Sequence, residues 1–215
     1  MASTYLQRNA SGTQSNQKIW THSGWYKKSS NGNENTIFMH ETTSGHTQKW
    51  EHKFNSGDYF YYGWWDGTNE YAGRTNSVYR DTNGWYHIVV RMDTTQSTAD
   101  DRLRIYINGE QLTNWNFKNN PAQNAQLNLA QHPMVYGRYQ SASPGNYFNG
   151  SMSHIHFCDG YSYAPTEFGE TDANGVWKIK TSPSVSYGNL GHFILKDGNS
   201  VTDQSGNSNN FTVGG

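Results

Sequence analysis

The residues best suited to chemistry form one aromatic block, residues 59–69, with the sequence YFYYGWWDGTN. Rings beside Asp and Asn supply what a sugar site needs, an apolar face for stacking and fixed polar groups for hydroxyls. We expect residues 66–74 to form a loop that contacts such a ligand. The candidate ligand-binding residues are Trp64, Trp65, Asp66, Asn69 and Tyr71. Alternatively, the rings form the core, and alternation along a strand would then bury Phe60, Tyr62 and Trp64.

A second candidate site is the stretch near the C-terminus in which oxygen-bearing side chains alternate. Its candidate metal ligands are Asp203, Ser205, Asn207 and Asn209. Calcium takes such oxygen ligands from loops, although the bidentate Glu of an EF-hand is missing here. Asp and Asn are also ordinary turn formers. We therefore expect that no cofactor is required and that calcium is an optional ligand.

Histidine pairs raise the question of zinc, since the chain has nine histidines. His154 and His156 are two residues apart, which places both on one face of a strand. Zinc needs three or four ligands, and the sequence signals no third one. We expect a solvent-facing pair without a metal.

Catalysis is not indicated by the carboxylate pattern. Retaining glycosidases need two carboxyl groups about 5 Å apart. The chain has seven Glu, and its one Glu-x-Asp match is Glu170-Thr171-Asp172, with Asn174 where a second Glu would be needed. A Gly-x-Ser-x-Gly elbow and a phosphate-binding loop are also missing. We expect the protein not to be an enzyme.

Composition limits the other classes of function. The 16 Lys and Arg against 17 Asp and Glu give a net charge of −1, which argues against a nucleic-acid binder with a basic surface. No apolar run reaches the length of a membrane span, and the first 17 residues lack the pattern of a secretory signal. Cys158 is the one cysteine, so an internal disulfide is excluded.

The elements that position these residues are short strands with period-two alternation, separated by turns rich in Gly and Asn. Strands are predicted at residues 19–27, 36–40, 48–54, 59–65, 85–92, 101–112, 134–139, 151–158 and 192–196, with a hairpin turn at Asn108-Gly109 and one helical turn at 164–169. This pattern predicts an all-β fold, an antiparallel β-sandwich of jelly-roll type, as a single domain over residues 1–215.

Three segments of the N-terminal two thirds carry a family resemblance. They are residues 20–28 (WTHSGWYKK), 84–93 (GWYHIVVRMD) and 104–109 (RIYING). These segments resemble the strands of concanavalin A-like (laminin-G-like) jelly rolls, the lectin/glucanase type of sandwich. The resemblance implies a lectin-like scaffold.

The C-terminal third carries a more specific series, residues 155–160 (IHFCDG), 164–170 (APTEFGE), 175–177 (GVW), 187–193 (YGNLGHF) and 203–212 (DQSGNSNNFT). It resembles virion proteins of tailed bacteriophages and cyanophages, although Ile179 stands where those proteins usually have Pro.

The resemblance implies a non-enzymatic virion structural protein, used for capsid decoration or as a fibre or spike component, that binds host-surface glycans. Its partners would be other virion proteins and host-surface polysaccharide, without nucleic acid or membrane insertion, and we expect a homo-oligomer. It would be made in the host cytoplasm and act in the virion. The alternative is a soluble carbohydrate-binding protein with no assembly role, and a third, weaker hypothesis is a hydrolase.

Overall fold

The computed structural model describes residues 3–41, 48–140 and 144–215, and in these ranges the chain folds mainly into β-strands. The strands are β1 (Tyr5–Asn9), β2 (Ile19–Lys28), β3 (Asn35–Glu41), β4 (Lys49–Phe54), β5 (Tyr59–Trp65), β6 (Glu70–Val78), β7 (Tyr86–Asp93), β8 (Leu103–Ile107), β9 (Glu110–Gln111), β10 (Trp115–Lys118), β11 (Pro133–Tyr136), β12 (Gly150–Asp159), β13 (Gly169–Thr171), β14 (Trp177–Ile179), β15 (His192–Ile194) and β16 (Thr212–Gly214). Helical structure in these ranges consists of α1 (Ala99–Arg102) and single 3-10 turns at Leu129–Gln131 and Pro165–Glu167.

Two antiparallel sheets form the sandwich, as predicted. The first sheet has eight strands in the order β10-β6-β5-β4-β3-β11-β1-β16. The second has six strands in the order β15-β12-β2-β7-β8-β9, and β13 and β14 form a separate hairpin. None of the helices in the described ranges is long and apolar enough to cross a membrane.

The core between the sheets consists largely of aromatic rings, which follow from the alternation in β4 and β5. Cross-strand partners on the inner face include Trp50 with Trp64 and Phe54 with Phe60. The Trp20 ring of the second sheet meets the edge of Trp50, with the ring centres 4.9 Å apart. Each large ring buries about 150–250 Å² of surface. Aromatic rings therefore supply the buried apolar area of the core, because the chain contains few aliphatic residues.

The prediction of a long loop at residues 66–74 is wrong, because most of this segment belongs to β6. Only a short turn separates β5 from β6, and Trp65 pairs with Glu70 across it. Asp66 closes the turn, since its Oδ1 accepts hydrogen bonds from the backbone N–H groups of Thr68 (2.8 Å) and Asn69 (2.7 Å).

The prediction of a solvent-facing histidine pair is also wrong. A bulge between Ser153 and His156 shifts the register of β12 on β2, and His154 adopts a φ of 46°. The extra residue breaks the period of two. His156 is consequently buried against Phe193, with the ring centres 3.9 Å apart, while His154 is half-buried.

The outer face of the six-stranded sheet is covered by the C-terminal part of the chain. Phe168 packs there with Val89, Tyr106 and Cys158, which alternate with core residues of their strands. We call this surface the covered face. The outer face of the eight-stranded sheet, which we call the open face, carries the residues described next.

Candidate functional site

A groove of about 260 Å³ lies on the open face. Its lining residues in the described part of the chain are Glu41, Lys49, Glu51, Gly63, Trp64, Trp65, Glu70 and Tyr139. Four of them form one cross-strand row over β3 to β6, because Glu41 pairs with Lys49, Lys49 with Trp65 and Trp65 with Glu70. Directly opposed side chains on one face are close enough to interact. The row therefore places an indole ring between carboxylates and an ammonium group.

The neighbouring row gives the groove its depth. It runs from Met39 through Glu51 and Gly63 to Ala72. Gly63 has no side chain, and the Tyr61 hydroxyl lies only 2.8 Å from where a Cβ would be. A larger residue at position 63 would therefore displace Tyr61 and fill the floor of the groove.

Lysine side chains order the polar wall of the groove. Lys49 Nζ donates a hydrogen bond to the Tyr139 hydroxyl (3.0 Å) and lies 3.1 Å from Glu51 Oε1. Burial by itself lowers the pKa of Lys49, but Glu51 and Tyr139 outweigh it and raise that pKa above its usual value. Lys49 is therefore charged and held in place. Lys53 Nζ lies 2.8 Å from Glu34 Oε2 and 5.3 Å from the centre of the Tyr61 ring.

Burial and neighbouring carboxylates both act on the phenol of Tyr61, next to Gly63. Its pKa is raised to about 12, first by burial and then by the carboxylates of Glu51 and Glu70, against the opposing effect of Lys49. A phenol loses its proton less readily where negative charge surrounds it.

The five predicted ligand-binding residues divide into three groups. Trp65 is half-buried and lines the groove. Trp64 borders the groove but is a core residue with 1% exposure, packed against Trp50 and Tyr71, so its ring is not available for stacking. Asp66 and Asn69 lie in the β5–β6 turn, and Tyr71 follows them in β6.

Hydrogen bonds within that turn use the polar groups that we expected to meet a ligand. The Tyr71 hydroxyl donates to Asp66 Oδ2 over 3.0 Å, and Tyr71 is 8% exposed. Burial by itself raises the pKa of Asp66, but the N–H groups of Asn69 and Thr68 and the Tyr71 hydroxyl outweigh it and lower that pKa. Asn69 is exposed and adjoins Glu70. The turn therefore fixes the end of the groove.

Sequence reasoning missed four of the side chains that line the groove, namely Glu41, Lys49, Glu51 and Tyr139, whereas Glu70 falls within residues 66–74, which were expected to contact a ligand. Alternation along β4 places Lys49 and Glu51 on the side of the strand opposite to Trp50. Which strands flank β4 could not be read from that pattern, and Tyr139 comes from a distant part of the chain beyond β11.

The predicted calcium ligands do not fit a calcium site as the structure arranges them. Asp203 is buried, and its Oδ1 accepts hydrogen bonds from Phe193 N (2.8 Å) and Ser205 N (2.9 Å). Its Oδ2 accepts from Ser205 Oγ (2.8 Å) and Asn209 N (2.8 Å). These four donors occupy the acceptor capacity of the carboxylate.

The two asparagines of this loop are likewise used within the fold. Asn207 Nδ2 donates to the carbonyl groups of Gly188 and Gly191, and Asn209 Nδ2 donates to those of Asn189 and Gly191. Asn209 Oδ1 accepts from the Arg8 guanidinium. The alternating pattern therefore encodes a hydrogen-bonded loop. Among the described residues, no group of three or more His, Cys, Asp or Glu could hold a metal ion.

Glu170 and Asp172, the one Glu-x-Asp match, lie on the β13–β14 hairpin, away from the groove. Glu170 faces Lys178 at 3.9 Å. Asp172 Oδ1 accepts hydrogen bonds from Asn174 N (2.9 Å) and Val176 N (3.0 Å). The role of Asp172 is therefore to stabilise the turn of this hairpin.

Solved structures with this architecture include proteins whose descriptions mention carbohydrate. A candidate carbohydrate-binding protein from Bacteroides ovatus is 17% identical with a TM-score of 0.60, over 100% of this chain and 56% of that one. The CBM40 of the Ruminococcus gnavus IT-sialidase bound to α2,3-sialyllactose is 14% identical with a TM-score of 0.52, over 74% and 92%. A heptameric SAP-like pentraxin from Limulus polyphemus is 13% identical with a TM-score of 0.52, over 75% and 72%.

Identities this low show a shared fold, and this chain spans only about half of the Bacteroides protein. No curated protein matches the sequence. The family model of the concanavalin A-like lectin/glucanases superfamily, in its laminin-G form, matches residues 2–164. That segment contains every strand that contributes to the groove. The chain therefore belongs to the concanavalin A-like lectin/glucanases superfamily.

Proposed function

We propose that this protein is a glycan-binding module and that the groove on the open face is its ligand site. The observation that carries the proposal is the row Glu41–Lys49–Trp65–Glu70, because it joins a half-buried indole to polar groups held in place by β-sheet pairing. A sugar ring would stack on Trp65, while the carboxylates accept hydrogen bonds from its hydroxyls. Neighbours described as carbohydrate-binding support this function.

The module acts without catalysis in this proposal. The described glutamates of the groove come one each from β3, β4 and β6, and the pair of acids on one strand that family hydrolases use is not found there. No metal is required, since the predicted calcium loop is filled by the protein's own hydrogen bonds. Steady release of reducing sugar from β-glucans, lost in Glu51→Gln, would contradict this part.

A tryptophan exchange tests the ligand site. Trp65→Ala removes the stacking surface, and we expect binding of glycans identified on an array to weaken about tenfold, since a well-placed ring contributes about 1–1.5 kcal/mol. Trp85→Ala is the matched control, because Trp85 is 39% exposed and does not line the groove. Equal binding by wild type and Trp65→Ala would place the ligand elsewhere.

For the biological setting, we propose a structural protein of a tailed-phage virion, displayed on capsid, fibre or spike, homo-oligomeric and made in the host cytoplasm. The support is the resemblance of the C-terminal series, and the heptameric pentraxin shows that this fold can assemble. Single domains would bind weakly, and many copies on a particle would raise the effective concentration. Hundreds of copies per purified particle would indicate decoration, and a dozen or fewer a tail appendage. Absence from particles would favour the soluble carbohydrate-binding alternative.

A further inference from the structure

Carboxylates outnumber ammonium groups in the described part of the groove, and the ammonium groups already contact carboxylates of the protein. Among the residues that the structure describes, three carboxylates, those of Glu41, Glu51 and Glu70, line it together with one ammonium group, that of Lys49. Lys53, at the border, has its Nζ within 2.8 Å of Glu34. An incoming ligand therefore meets more negative than positive charge.

The ammonium donor of the groove, Lys49 Nζ, is already engaged, whereas a carboxylate acceptor remains open. Lys49 Nζ donates a hydrogen bond to the Tyr139 hydroxyl and forms an ion pair with Glu51 Oε1. Glu51 Oε2 is buried, in a side chain with 6% exposure, and accepts no hydrogen bond from any described residue, with Lys53 Nζ at 3.7 Å. A buried acceptor without a donor is costly, and a ligand N–H group would remove that cost.

Glu70 adds a second acceptor at the exposed end of the row. It is exposed and forms no ion pair with any described residue. No arginine lines the described groove, although arginine is the residue best suited to hold a carboxylate in two parallel hydrogen bonds. The groove is thus poorly equipped for an acidic sugar.

We propose that the groove selects glycans that carry protonated amino groups, such as deacetylated amino sugars, and discriminates against sialylated and other anionic glycans. The inference rests on the proposed glycan-binding function of the same groove. The sugar ring stacks on Trp65, and its ammonium group donates to Glu51 Oε2 or to the Glu70 carboxylate. An ammonium group has three donors and a positive charge, which matches an excess of carboxylate acceptors.

A matched pair of oligosaccharides tests this selectivity. Calorimetric titrations would compare the glucosamine hexamer, the N-acetylglucosamine hexamer and 3′-sialyllactose at low salt and at a mildly acidic pH at which the protein remains folded. We expect the amine form to bind about five- to tenfold more tightly than the acetylated form, with sialyllactose weakest. Added salt should reduce the difference in affinity between the amine and the acetylated hexamer, since salt screens the attraction between charges.

Variants locate the effect. Glu70→Gln keeps the size of an exposed side chain and should reduce the preference for the amine about two- to fivefold. Glu110→Gln is the control, because Glu110 is an exposed acid on β9 of the other sheet, and this substitution should leave the preference for the amine unchanged. Glu51→Gln gives a second measurement if it folds. Trp65→Ala should weaken binding of both hexamers. That result would show that the hexamers bind in the groove and are not merely attracted to acidic residues elsewhere on the surface.

Equal or tighter binding of the acetylated hexamer or of sialyllactose through Trp65 would overturn the selectivity and leave the proposed function intact. An unchanged preference in Glu70→Gln and Glu51→Gln would also overturn it. Failure of all three probes and of every glycan on the array would overturn both proposals.

Discussion

The outer faces of the two sheets differ in what lies on top of them. On the covered face, Phe168 and Cys158 are almost fully buried beneath the C-terminal segment. On the open face, Trp65 and Lys49 are half-buried and line a groove. Both faces arise from the same alternation along their strands. The covering segment, rather than the strand pattern, therefore decides which face can meet a ligand.

Polar groups on the two faces are satisfied in different ways. On the covered face, His87 is stacked between Trp25 and Trp177, and its Nδ1 accepts a hydrogen bond from Trp177 Nε1 over 3.0 Å. On the open face, Glu51 keeps an oxygen without a donor among the described residues. The covered face is therefore closed by its own contacts, and the open face has bonding capacity left over.

Acid should produce the largest effect, acting on the core and the covered face. Burial lowers the pKa values of His40, His87 and His192 to about 3 each, so all three are neutral in the fold. Unfolded histidines have a pKa of about 6.5, so the unfolded state binds more protons below that pH. Stability is lost as pH falls from about 6.5 towards 3, at about 1.4 kcal/mol per pH unit for each group.

The three histidines together would cost about 4 kcal/mol per pH unit, which exhausts a typical stability of about 5–15 kcal/mol within a few units. We expect cooperative unfolding between about pH 4 and 5, followed by circular dichroism. A melting temperature that stays constant from neutral pH to below about pH 4.5 would contradict this expectation.

Adjacent tryptophans on β5 compare the inner and the open side of one strand. Trp64→Ala leaves a cavity in the core and should cost about 4 kcal/mol of unfolding free energy. Trp65→Ala removes a half-buried ring and should cost less than about 1 kcal/mol. Urea denaturation of both variants measures the difference. Similar losses would mean that Trp65 is a packing residue and would weaken its role in the groove.

A pair of phenylalanines compares the covered face with the exposed edge strand of the other sheet. Phe168→Ala should cost about 3 kcal/mol, because that ring is 1% exposed and contacts His156 and Tyr163. Phe117→Ala on β10 is the control, with 42% exposure and an expected cost below about 0.5 kcal/mol. Thermal and urea unfolding would measure both. If the two losses were equal, the covering segment would contribute little to stability.

Calcium should produce no effect at all. Since the oxygen atoms of Asp203 already accept four hydrogen bonds, the melting temperature should be the same in calcium and in chelator. A site held at 100 times its dissociation constant would instead add about 2.7 kcal/mol. A rise of that size, abolished by Asp203→Asn, would show that the loop rearranges to take the ion.

The sequence was informative where partners are close along the chain. Alternation in β5 predicted the inner set of Phe60, Tyr62 and Trp64, because a buried face determines register. It was uninformative for the groove, because Glu41 ends β3 and Tyr139 follows β11, and these two strands meet through non-local pairing. The assignment of residues 66–74 failed because polar turn residues at 66–69 obscured the alternation of the strand that follows.

Three further differences between the sequence predictions and the structure have local causes. No glycine marks the bulge in β12, since the left-handed backbone there belongs to His154. The Asp203 loop resembles an optional calcium site in the sequence, because the sequence does not reveal which N–H groups will reach its oxygen atoms. The hairpin β13–β14 has strands of three residues, too short to show any period.

The buried tryptophans of the core give the protein a spectroscopic signal of its own. Trp20, Trp50 and Trp64 form a chain with ring centres 4.9 Å and 6.2 Å apart, and the first pair is inclined at 83°. Indole rings at such short distances exchange excitation energy, and the fold fixes their mutual orientation. The three tryptophans should therefore give a strong near-ultraviolet circular dichroism band, and because they are buried they should emit at short wavelength. Trp65 and Trp85 should emit at longer wavelength because they are in contact with water. A glycan that covers Trp65 would therefore shift the red edge of the emission while the band of the core trio stays constant, and unfolding would abolish that band.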